Sequence, residues 1–510
     1  MAFETFDTGG FERFCSGLVA AGFSPVPDTD LKVWTGPIRE SLNPLTDRGR
    51  MQVVFNDGWP LRYAHVHVEG LKAPHVYEGI ICLWADDDPA QVEGRNLDAL
   101  WARLDAWAEA AQTGFGVADQ ALDSYLLFDG KSGYRLELPI GDLLRGASNG
   151  TIIDLTAHRR QILFQVGAQR DTPTFNGVLY TRREITDPPR DLDQFRDALA
   201  RRQREHFERG LAARQDADIK TPSGGLDFAV LTWPRFNGQP DAIALGFSGH
   251  GAEVVAEAHA AFPSDLAARK RRAGPDADLL AGKRLLVAGL GSIGGSVALL
   301  LAESGVAHIK GYDPDTLMTA NLVRHVADKY SVGYNKGIGV SAEIDDHAPW
   351  CDFDIVTKDL PFAPAELADN VRGFDLVIDC TGTAPMTAAL SIVCAQEDVP
   401  LITGALFHQG GLLRVRRQAA NDTPISNRDK SADYLDLPPD DPQPVGAFLE
   451  LGCIALVNGA PPWAAQRAAA DIVAAAIDQL LERRLLPDEQ VEVLRPLAVA
   501  PFDVIGPATA

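Results

Sequence analysis

Three glycines, Gly289, Gly291 and Gly294, form a G-x-G-x-x-G motif between an apolar run at residues 284–290 and a helix-like segment at 294–304. Glycines at this spacing allow a tight turn and a close approach of the backbone to a ligand. The N–H groups at the start of the following helix have no partners within the helix and can bind phosphate oxygens. The motif therefore predicts a phosphate-binding turn between a strand and a helix.

Asp313 closes the next predicted strand, residues 308–312, and lies close to the spacing expected of an acid that binds a ribose. These features alone do not identify the nucleotide, because a nicotinamide-dependent dehydrogenase would share them. The side chains that distinguish a dehydrogenase from other nucleotide-binding enzymes follow Asp313 in the chain.

The segment from Asp313 to His325 has the sequence D-P-D-T-L-M-T-A-N-L-V-R-H, and Lys336 lies a short distance beyond it. This arrangement resembles the D-x-D…N-L-x-R-Q…K signature of ThiF/MoeB-type adenylating enzymes, the core of ubiquitin-activating enzymes. The resemblance extends from about residue 267 to the end of the chain. Two departures are present: His325 stands where the signature has Gln, and Lys336 is one residue closer to Arg324 than in the family.

The resemblance implies roles for individual residues around ATP. Asp313 would hold the ribose, while Asn321, Arg324 and Lys336 would contact the phosphates. Asp379 stands where the family places the aspartate associated with Mg²⁺, and carboxylate and phosphate oxygens suit that hard cation. An enzyme that transfers an adenylyl group must stabilise negative charge on the triphosphate and on the leaving pyrophosphate, and Asn321, Arg324 and Lys336 can do so. An enzyme that transfers hydride has no evident use for these three residues. We therefore predict ATP and Mg²⁺ as cofactors, and count Arg324 and Asp379 as catalytic; an ordinary ion pair between Asp313 and Arg324 is the alternative.

Cys453 is the predicted first catalytic thiol. Adenylation produces a mixed anhydride, and a cysteine thiolate can capture its acyl group as a thioester. Cys453 lies in the sequence E-L-G-C-I, after the polar, proline-rich stretch 421–444 and before a predicted helix at 464–481. Activating enzymes of the ubiquitin type carry their thioester cysteine beyond such a crossover segment. A buried structural thiol is the alternative for Cys453.

Cys82 is the predicted second thiol. Residues 73–84, A-P-H-V-Y-E-G-I-I-C-L-W, resemble the catalytic segment of ubiquitin-conjugating enzymes, where H-P-N-V-Y…G-x-I-C-L is typical. His75 replaces the usual asparagine that supports the oxyanion when the thioester passes to an amine, and it stands one residue closer to the cysteine. A histidine can also donate a hydrogen bond, so we assign His75 the same role. A buried structural Cys82 is the alternative.

The composition favours a cytoplasmic protein with free thiols. The chain has 510 residues, with 47 basic against 70 acidic residues and a formal net charge of -23. This balance argues against a nucleic-acid or anionic-membrane partner, because phosphate binding uses Lys and Arg. No apolar run is long enough for a membrane span, the N-terminus lacks the pattern of a secretion signal, and the six cysteines include no C-x-x-C pair. His65 and His67 form an H-x-H pair, but the further residues of a JAMM-type zinc site are missing, so no zinc is expected.

The predicted fold class is α/β with three domains. Residues 1–135 would form an α+β ubiquitin-conjugating-like domain, residues 136–265 an α+β linker or adaptor domain, and residues 266–510 a doubly wound, Rossmann-like ThiF/MoeB adenylation domain. Strand and helix patterns alternate in the last of these, which is typical of a parallel sheet covered by helices.

This order of domains resembles the bacterial fusions of ubiquitin-activating and ubiquitin-conjugating modules, most familiar from CBASS antiphage operons. The resemblance implies a protein substrate with a C-terminal glycine, either a nucleotide cyclase or a ubiquitin-like protein, that is adenylated, relayed through Cys453 and Cys82, and joined to a lysine of a target. It also implies a homodimer. Two alternatives stay open: a sulfur-carrier adenylyltransferase of the thiamin, molybdopterin or thiolation type, and a catalytically idle scaffold or NAD sensor.

Overall fold

The computed structural model describes residues 4–71, 73, 75–77, 79–84, 88–115, 128–141, 151–157, 163–166, 174–185, 188–234, 240–420, 422–428, 435–440 and 459–508, of which 151–157 and 163–166 are described by backbone alone. The chain divides into two compact units, Met1–Asp265 and Leu266–Ala510. The boundary that the sequence predicts near residue 135, inside the first unit, stays a prediction. Within the described ranges, no helix combines the length and the apolar character needed to cross a bilayer.

The first part of unit one is an antiparallel sheet with two helices packed against it. Its strands lie in the order β1-β2-β3-β4-β6-β5. They are β1 (Ser24–Pro25), β2 (Val33–Pro37), β3 (Arg50–Val54), β4 (His65–His67), β5 (Val76–Tyr77) and β6 (Ile80–Ile81), and the helices are α1 (Thr8–Ala20) and α2 (Leu97–Thr113). Side chains of Asp7 and Asn96 cap the two helices by accepting hydrogen bonds from the N–H groups of Gly10 and Asp98 (2.8 Å each). Apolar residues on α1 and α2 share one core with the sheet, and in residues 97–111 they recur at the helical spacing that predicts an amphipathic helix.

A closed barrel forms the second part of unit one. Its strands follow one another around the barrel in the order β10-β11-β12-β13-β7-β9-β8. They are β7 (Lys131–Leu138), β8 (Thr151–Ala157), β9 (Leu163–Val166), β10 (Thr174–Thr181), β11 (Phe228–Pro234), β12 (Pro240–Ser248) and β13 (Val255–Pro263). Along β11, Phe228 and Val230 belong to one apolar cluster, while Ala229 and Leu231 belong to the cluster that includes the adjacent helices. This alternation is what a strand with both faces buried requires.

The highly charged sequence from about residue 193 to residue 214 predicts a single helix, and the structure shows that this prediction is wrong. These residues form two helices, α3 (Leu192–Ala198) and α4 (Arg201–Ala212). The chain is extended at Leu199 and Ala200, and the Gln203 side chain accepts a hydrogen bond from the N–H of Ala200 (2.7 Å) at the start of the second helix. The break lets Phe195 and Phe207 enter the same core from different directions, which a straight helix does not allow.

Unit two is a doubly wound sheet, as predicted. Its strands lie in the order β16-β15-β14-β17-β18-β19-β20-β21. They are β14 (Arg284–Ala288), β15 (His308–Tyr312), β16 (Asp352–Val356), β17 (Leu376–Asp379), β18 (Leu401–Phe407), β19 (Leu412–Gln418), β20 (Glu489–Val493) and β21 (Gly506–Pro507). The pairings from β16 to β18 are parallel, and the remaining three are antiparallel.

Helices cover both faces of this sheet. They are α5 (Leu266–Lys270), α6 (Ala277–Leu280), α7 (Gly294–Glu303), α8 (Lys336–His347), α9 (Pro364–Val371), α10 (Ala384–Gln396) and α11 (Pro462–Leu480). The apolar sides of α7, α8 and α11 share one core with the sheet, and those of α9 and α10 share the other. The carboxyl ends of β14, β17 and β18 meet at one edge, which is where open α/β sheets bind ligands.

Candidate active site

The glycine motif forms the turn between β14 and α7. Gly289 has φ +83°, and a Cβ there would lie 2.8 Å from the carbonyl oxygen of Cys380. A Cβ on Gly294 would lie 1.8 Å from the carbonyl oxygen of Gly289, so no larger residue fits either position. A Cβ added at Gly291 would have no atom of the described residues within 4 Å, apart from those of its chain neighbours. The turn is therefore tightly packed on its inner side and open at Gly291, at the start of the helix, where a phosphate group can approach.

Asp313 follows β15 and is buried beside the turn. Its Oδ2 accepts a hydrogen bond from the N–H of Leu290 (2.7 Å), and its Oδ1 accepts one from the N–H of Asp315 (2.9 Å). A carboxylate can accept about four hydrogen bonds, so two positions are left for the hydroxyls of a ribose. The residue fits the predicted role and also fixes the glycine turn from behind.

The three polar residues predicted to contact phosphates differ in their surroundings. Arg324 lines a cavity at the sheet edge, and its Nη1 donates to the carbonyl oxygen of Ala460 (3.2 Å). Lys336 pairs with Asp315 (Nζ–Oδ2 2.6 Å), and the Asn321 side chain accepts from the N–H of Met318 (3.0 Å). Arg324 is thus the member of the set that the structure brings into the cavity wall.

His325, which stands in place of the family's glutamine, also supports the turn. Its Nδ1 accepts a hydrogen bond from the N–H of Ala327 (3.1 Å), so Nε2 carries the proton and donates to the carbonyl oxygen of Leu290 (2.8 Å). A neutral imidazole thereby provides one donor and one acceptor, as a glutamine amide would. Burial lowers the pKa of His325, which keeps the ring in this neutral form.

A cavity of about 450 Å³ runs from the glycine turn across the strand ends. Ser292 and Arg324 line it near the turn, and Thr387, Thr403 and Arg416 line it farther along the sheet. Asp440 and Ala460, which flank the chain segment containing Cys453, belong to the same wall. The volume is within the usual range for small-molecule sites, and the lining mixes cationic and hydroxyl groups with small apolar ones.

Asp379 ends β17 and is 1% exposed. Its Oδ1 accepts hydrogen bonds from the N–H and the hydroxyl of Thr381 (3.0 and 2.7 Å), and its Oδ2 accepts from the hydroxyls of Thr387 and Thr403. These four donors occupy the acceptor capacity of the carboxylate, so no oxygen of Asp379 offers an open position for a metal ion. In this arrangement, the Asp379 side chain therefore does not fit the predicted role of a Mg²⁺ ligand. Among the described side chains, no group of three His, Cys, Asp or Glu residues is placed to hold a metal.

The cysteines described in the structure differ in their access to solvent. Cys82 is exposed, Cys15 and Cys380 are half-buried, and Cys351 and Cys394 are buried. Burial raises the pKa of Cys15 to about 11 and those of Cys351 and Cys394 to about 12. The pKa of Cys380 is also raised by burial, although this residue lines the cavity. Cys453 lies outside the described residues.

Cys82 and His75 occupy opposite sides of the β5–β6 hairpin. The N–H of Cys82 donates to the carbonyl oxygen of His75 (2.8 Å), directly beyond the pair formed by Val76 and Ile81. The His75 ring lies against Phe115, with ring centroids 4.4 Å apart, and its φ is +59°. The hairpin thus places the histidine beside the exposed thiol, although nothing in this geometry assigns the ring a catalytic role.

The chain after Cys82 is held by two side chains to which sequence analysis assigned no role. The Tyr63 hydroxyl accepts from the N–H of Leu83 (3.2 Å), and the Arg103 Nε donates to the carbonyl oxygen of Leu83 (2.7 Å). The Sγ of Cys82 itself lies 3.5 Å from the carbonyl oxygen of Trp84. Sequence analysis also missed Arg416, and the only local signal was the alternation of arginine with apolar residues at the start of β19, L-L-R-V-R-R-Q.

Comparison with known proteins finds similarity in the second unit. Residues 270–460 match the ThiF family. The chain is similar to ATP-dependent ubiquitin transferase-like protein Cap2 of Enterobacter hormaechei subsp. hoffmannii, with 35% identity over 114 residues, 22% of this chain and 19% of that protein.

Two further relatives carry other names. Adenylyltransferase and sulfurtransferase MOCS3 of Drosophila sechellia is 27% identical over 132 residues, which are 26% of this chain and 29% of that protein. Molybdopterin-synthase adenylyltransferase of Escherichia coli is 30% identical over 142 residues, 27% of this chain and 55% of that protein. The chain thus spans less than two thirds of the length of each of these relatives.

Proposed function

We propose that this protein uses ATP to adenylate the C-terminal carboxylate of a polypeptide and then passes the acyl group through two cysteines to a lysine. The observation that carries the first step is the continuous cavity, which extends from Ser292, the residue after the open Gly291, to Arg324 and to the carboxyl ends of β17 and β18. A nucleotide and the end of an extended chain can therefore meet in one space. The match of residues 270–460 to the ThiF family supports the adenylation step.

In the adenylation step, a carboxylate oxygen of the polypeptide attacks the α-phosphorus of ATP. A new O–P bond forms, the bond between the α-phosphorus and the bridging oxygen breaks, and pyrophosphate leaves. Backbone N–H groups at the start of α7 and the guanidinium of Arg324 are placed to stabilise the charge on the phosphate oxygens. Asp313 orients the ribose. Bound Mg²⁺ would neutralise part of the triphosphate charge.

In the second step, the thiolate of Cys453 attacks the acyl carbon, AMP leaves, and a thioester forms. Cys453 precedes Ala460, a residue of the cavity wall, by seven positions. This short separation in sequence supports capture of the acyl group at the cavity.

In the third step, the thiolate of Cys82 attacks the thioester carbonyl and the Cys453 thiolate leaves. The amine of a target lysine then attacks the new thioester, giving an isopeptide bond and releasing Cys82. The exposure of Cys82 supports this role, because a thiol that receives and passes on an acyl group must be reached from solvent. His75, across the hairpin, is the proposed donor to the oxyanion.

A sulfur-carrier adenylyltransferase is the second candidate, since two of the relatives have names of that kind. It shares the adenylation step but predicts a sulfur donor and no use for Cys82. The similarity to Cap2 and the exposed thiol favour the relay. We further propose that the substrate ends in glycine, as a nucleotide cyclase or ubiquitin-like protein would, that the enzyme is a homodimer, and that it acts in the cytoplasm in antiphage defence.

The test is to trap the acyl group as an ester. Cys82→Ser and Cys453→Ser variants are incubated with ATP and the protein encoded beside this one, and intact mass is measured after hydroxylamine treatment. We expect a hydroxylamine-resistant adduct on each serine, and AMP release in both variants. A Cys15→Ser variant is the matched control, because that half-buried thiol has a raised pKa and should carry no adduct. AMP release without any adduct at position 82 would favour the sulfur-carrier alternative.

A further inference from the structure

Arg416 lies in β19 at the far end of the cavity from the glycine turn. The register pairs Ala288 with Asp379, Asp379 with Thr403, and Thr403 with Arg416, so these residues form one row across four strands. Neighbouring strands are about 4.8 Å apart, so the row places Arg416 roughly 14 Å from Ala288, the residue before the glycine turn.

The arginines around this end of the cavity differ in their partners. Arg414, two residues away on the same face of β19, pairs with Glu489 (Nη2–Oε1 2.6 Å). Arg428 donates to the carbonyl oxygen of Arg417 (2.7 Å). For the guanidinium of Arg416, the described part of the chain supplies neither an ion pair nor a hydrogen bond. Arg416 is nevertheless partly buried and forms part of the cavity wall.

A partly buried cation without a counter-ion is costly, because burial removes its hydration. Burial, together with the nearby charges of Arg414 and Arg428, lowers the pKa of Arg416 to about 10, and the charges of Glu489 and Asp379 oppose this shift. The Asp379 carboxylate is already saturated by three threonines and cannot serve as the partner. The remaining space in front of Arg416 is lined by the small residues Gly404 and Ala405.

We propose that Arg416 binds a carboxylate of the substrate polypeptide's C-terminal segment, an inference that rests on the proposed adenylation function. A guanidinium recognises a carboxylate through paired hydrogen bonds. Two sources are possible: the terminal carboxylate before it reaches the α-phosphate, or an acidic side chain farther back in the tail. Since an extended chain rises about 3.3 Å per residue, the distance of roughly 14 Å corresponds to an acidic residue about four positions before the end.

The nucleotide is a less suitable occupant for this position. Its phosphates are expected at the open Gly291 and the start of α7, at the opposite end of the row of paired residues. Arg324 already provides a guanidinium near that end. Arg416 is therefore a specificity residue for the polypeptide and lies outside the phosphate-binding part of the site.

Chemical protection of Arg416 tests this inference. The full-length protein, without ATP, is treated with phenylglyoxal, and modification of Arg416 is followed by peptide mass spectrometry, with the ion-paired Arg414 as internal reference. Four additives are compared at equal concentration: the pentapeptide acetyl-Ala-Ala-Ala-Gly-Gly, its C-terminal amide, the amide of acetyl-Asp-Ala-Ala-Gly-Gly, and sodium acetate. ATP is tested separately.

We expect modification of Arg416 to slow roughly fivefold at about 80% occupancy by the free acid or by the aspartate-containing amide, and to be unaffected by the plain amide and by acetate. The peptide that protects identifies the source of the carboxylate. Protection by acetate or by ATP to the same degree, or protection by none of the peptides, would overturn the assignment.

Failure of this inference is distinguishable from failure of the proposed function, because protection is measured without ATP while adenylation is measured by pyrophosphate exchange. In exchange with the free acid of acetyl-Asp-Ala-Ala-Gly-Gly, which carries both kinds of carboxylate, Arg416→Gln should raise the KM for the peptide about tenfold with the KM for ATP unchanged. Arg416→Lys should recover part of the loss, and Arg372→Gln, on an exposed arginine, is the control. An exchange-competent wild type with an unaltered peptide KM in Arg416→Gln would overturn the role of Arg416 alone.

Discussion

The backbone N–H of Cys82, whose side chain is exposed, donates a hydrogen bond to the carbonyl oxygen of His75, so the two residues lie opposite each other directly beyond β5 and β6. In this hairpin, His75 adopts a left-handed backbone conformation with φ +59°. Among residues other than glycine, Asn, Asp and His are the ones most often found in that region. The position therefore accepts the asparagine that ubiquitin-conjugating enzymes carry without a change of backbone.

Replacing His75 separates a catalytic role from a structural one. We expect His75→Asn to retain isopeptide formation, and His75→Ala to form the Cys82 thioester normally but to slow its transfer to lysine by roughly 10²-fold, the typical loss of one oxyanion donor. Transfer is measured by single-turnover discharge of the preformed thioester to free lysine. Thermal unfolding of both variants is the control, because a substitution at a residue with a left-handed backbone can also lower stability. Equal discharge rates in His75→Ala and the wild type would remove His75 from the mechanism.

The glycine turn offers a matched pair of substitutions. Gly291→Ala adds a methyl group into open space, so the variant should unfold at the wild-type temperature but bind ATP at least about tenfold more weakly, because the methyl group occupies the path of the phosphate. Gly294→Ala places its methyl group 1.8 Å from a carbonyl oxygen, so this variant should lose stability as well. Calorimetric titration with ATP and thermal unfolding measure the two effects. Wild-type affinity in Gly291→Ala would contradict phosphate binding at this turn.

His325 predicts a pH dependence of stability. Because its pKa in the folded state is below the ordinary value of 6.5, the unfolded chain binds the proton first as the pH falls. The contribution of His325 to the free energy of unfolding is therefore complete above about pH 6.5. Below that pH, the contribution decreases by at most about 1.4 kcal/mol per pH unit. His325→Gln keeps the donor to Leu290 and the acceptor for Ala327 but does not titrate, so it should lose less stability than the wild type between pH 7.5 and pH 5.5. Urea unfolding at the two pH values measures the difference, with His308→Gln, on an exposed histidine, as the control.

Asp379 is expected to stabilise the sheet edge through the threonines that surround it. Asp379→Ala leaves the hydroxyls of Thr387 and Thr403 without their acceptor, which should lower the free energy of unfolding by about 2 kcal/mol. Asp369→Ala, which removes an exposed carboxylate, is the control. If Asp379→Ala instead abolishes pyrophosphate exchange without loss of stability, the carboxylate takes part directly in the reaction. That result would support the prediction from the sequence that Asp379 binds Mg²⁺.

Local features of the sequence were sufficient to predict the fold of the second unit and its glycine turn. The strand Arg284–Ala288 lies within the apolar run at residues 284–290, since a strand buried on both faces needs a continuous apolar sequence. The glycine motif was equally informative, because a tight turn requires glycine for steric reasons that involve only a few neighbouring residues.

Contacts between residues distant in sequence were decided by the tertiary structure alone. Asp379 follows its strand as predicted, but only the positions of α10 and β18 show that its oxygens are taken by Thr387 and Thr403. Glu489 of β20 lies opposite Arg416 in the register, yet its carboxylate pairs with Arg414, while Arg416 lines the cavity. Pairing of this kind depends on which strands become neighbours in the sheet, and no local pattern of residues contains that information.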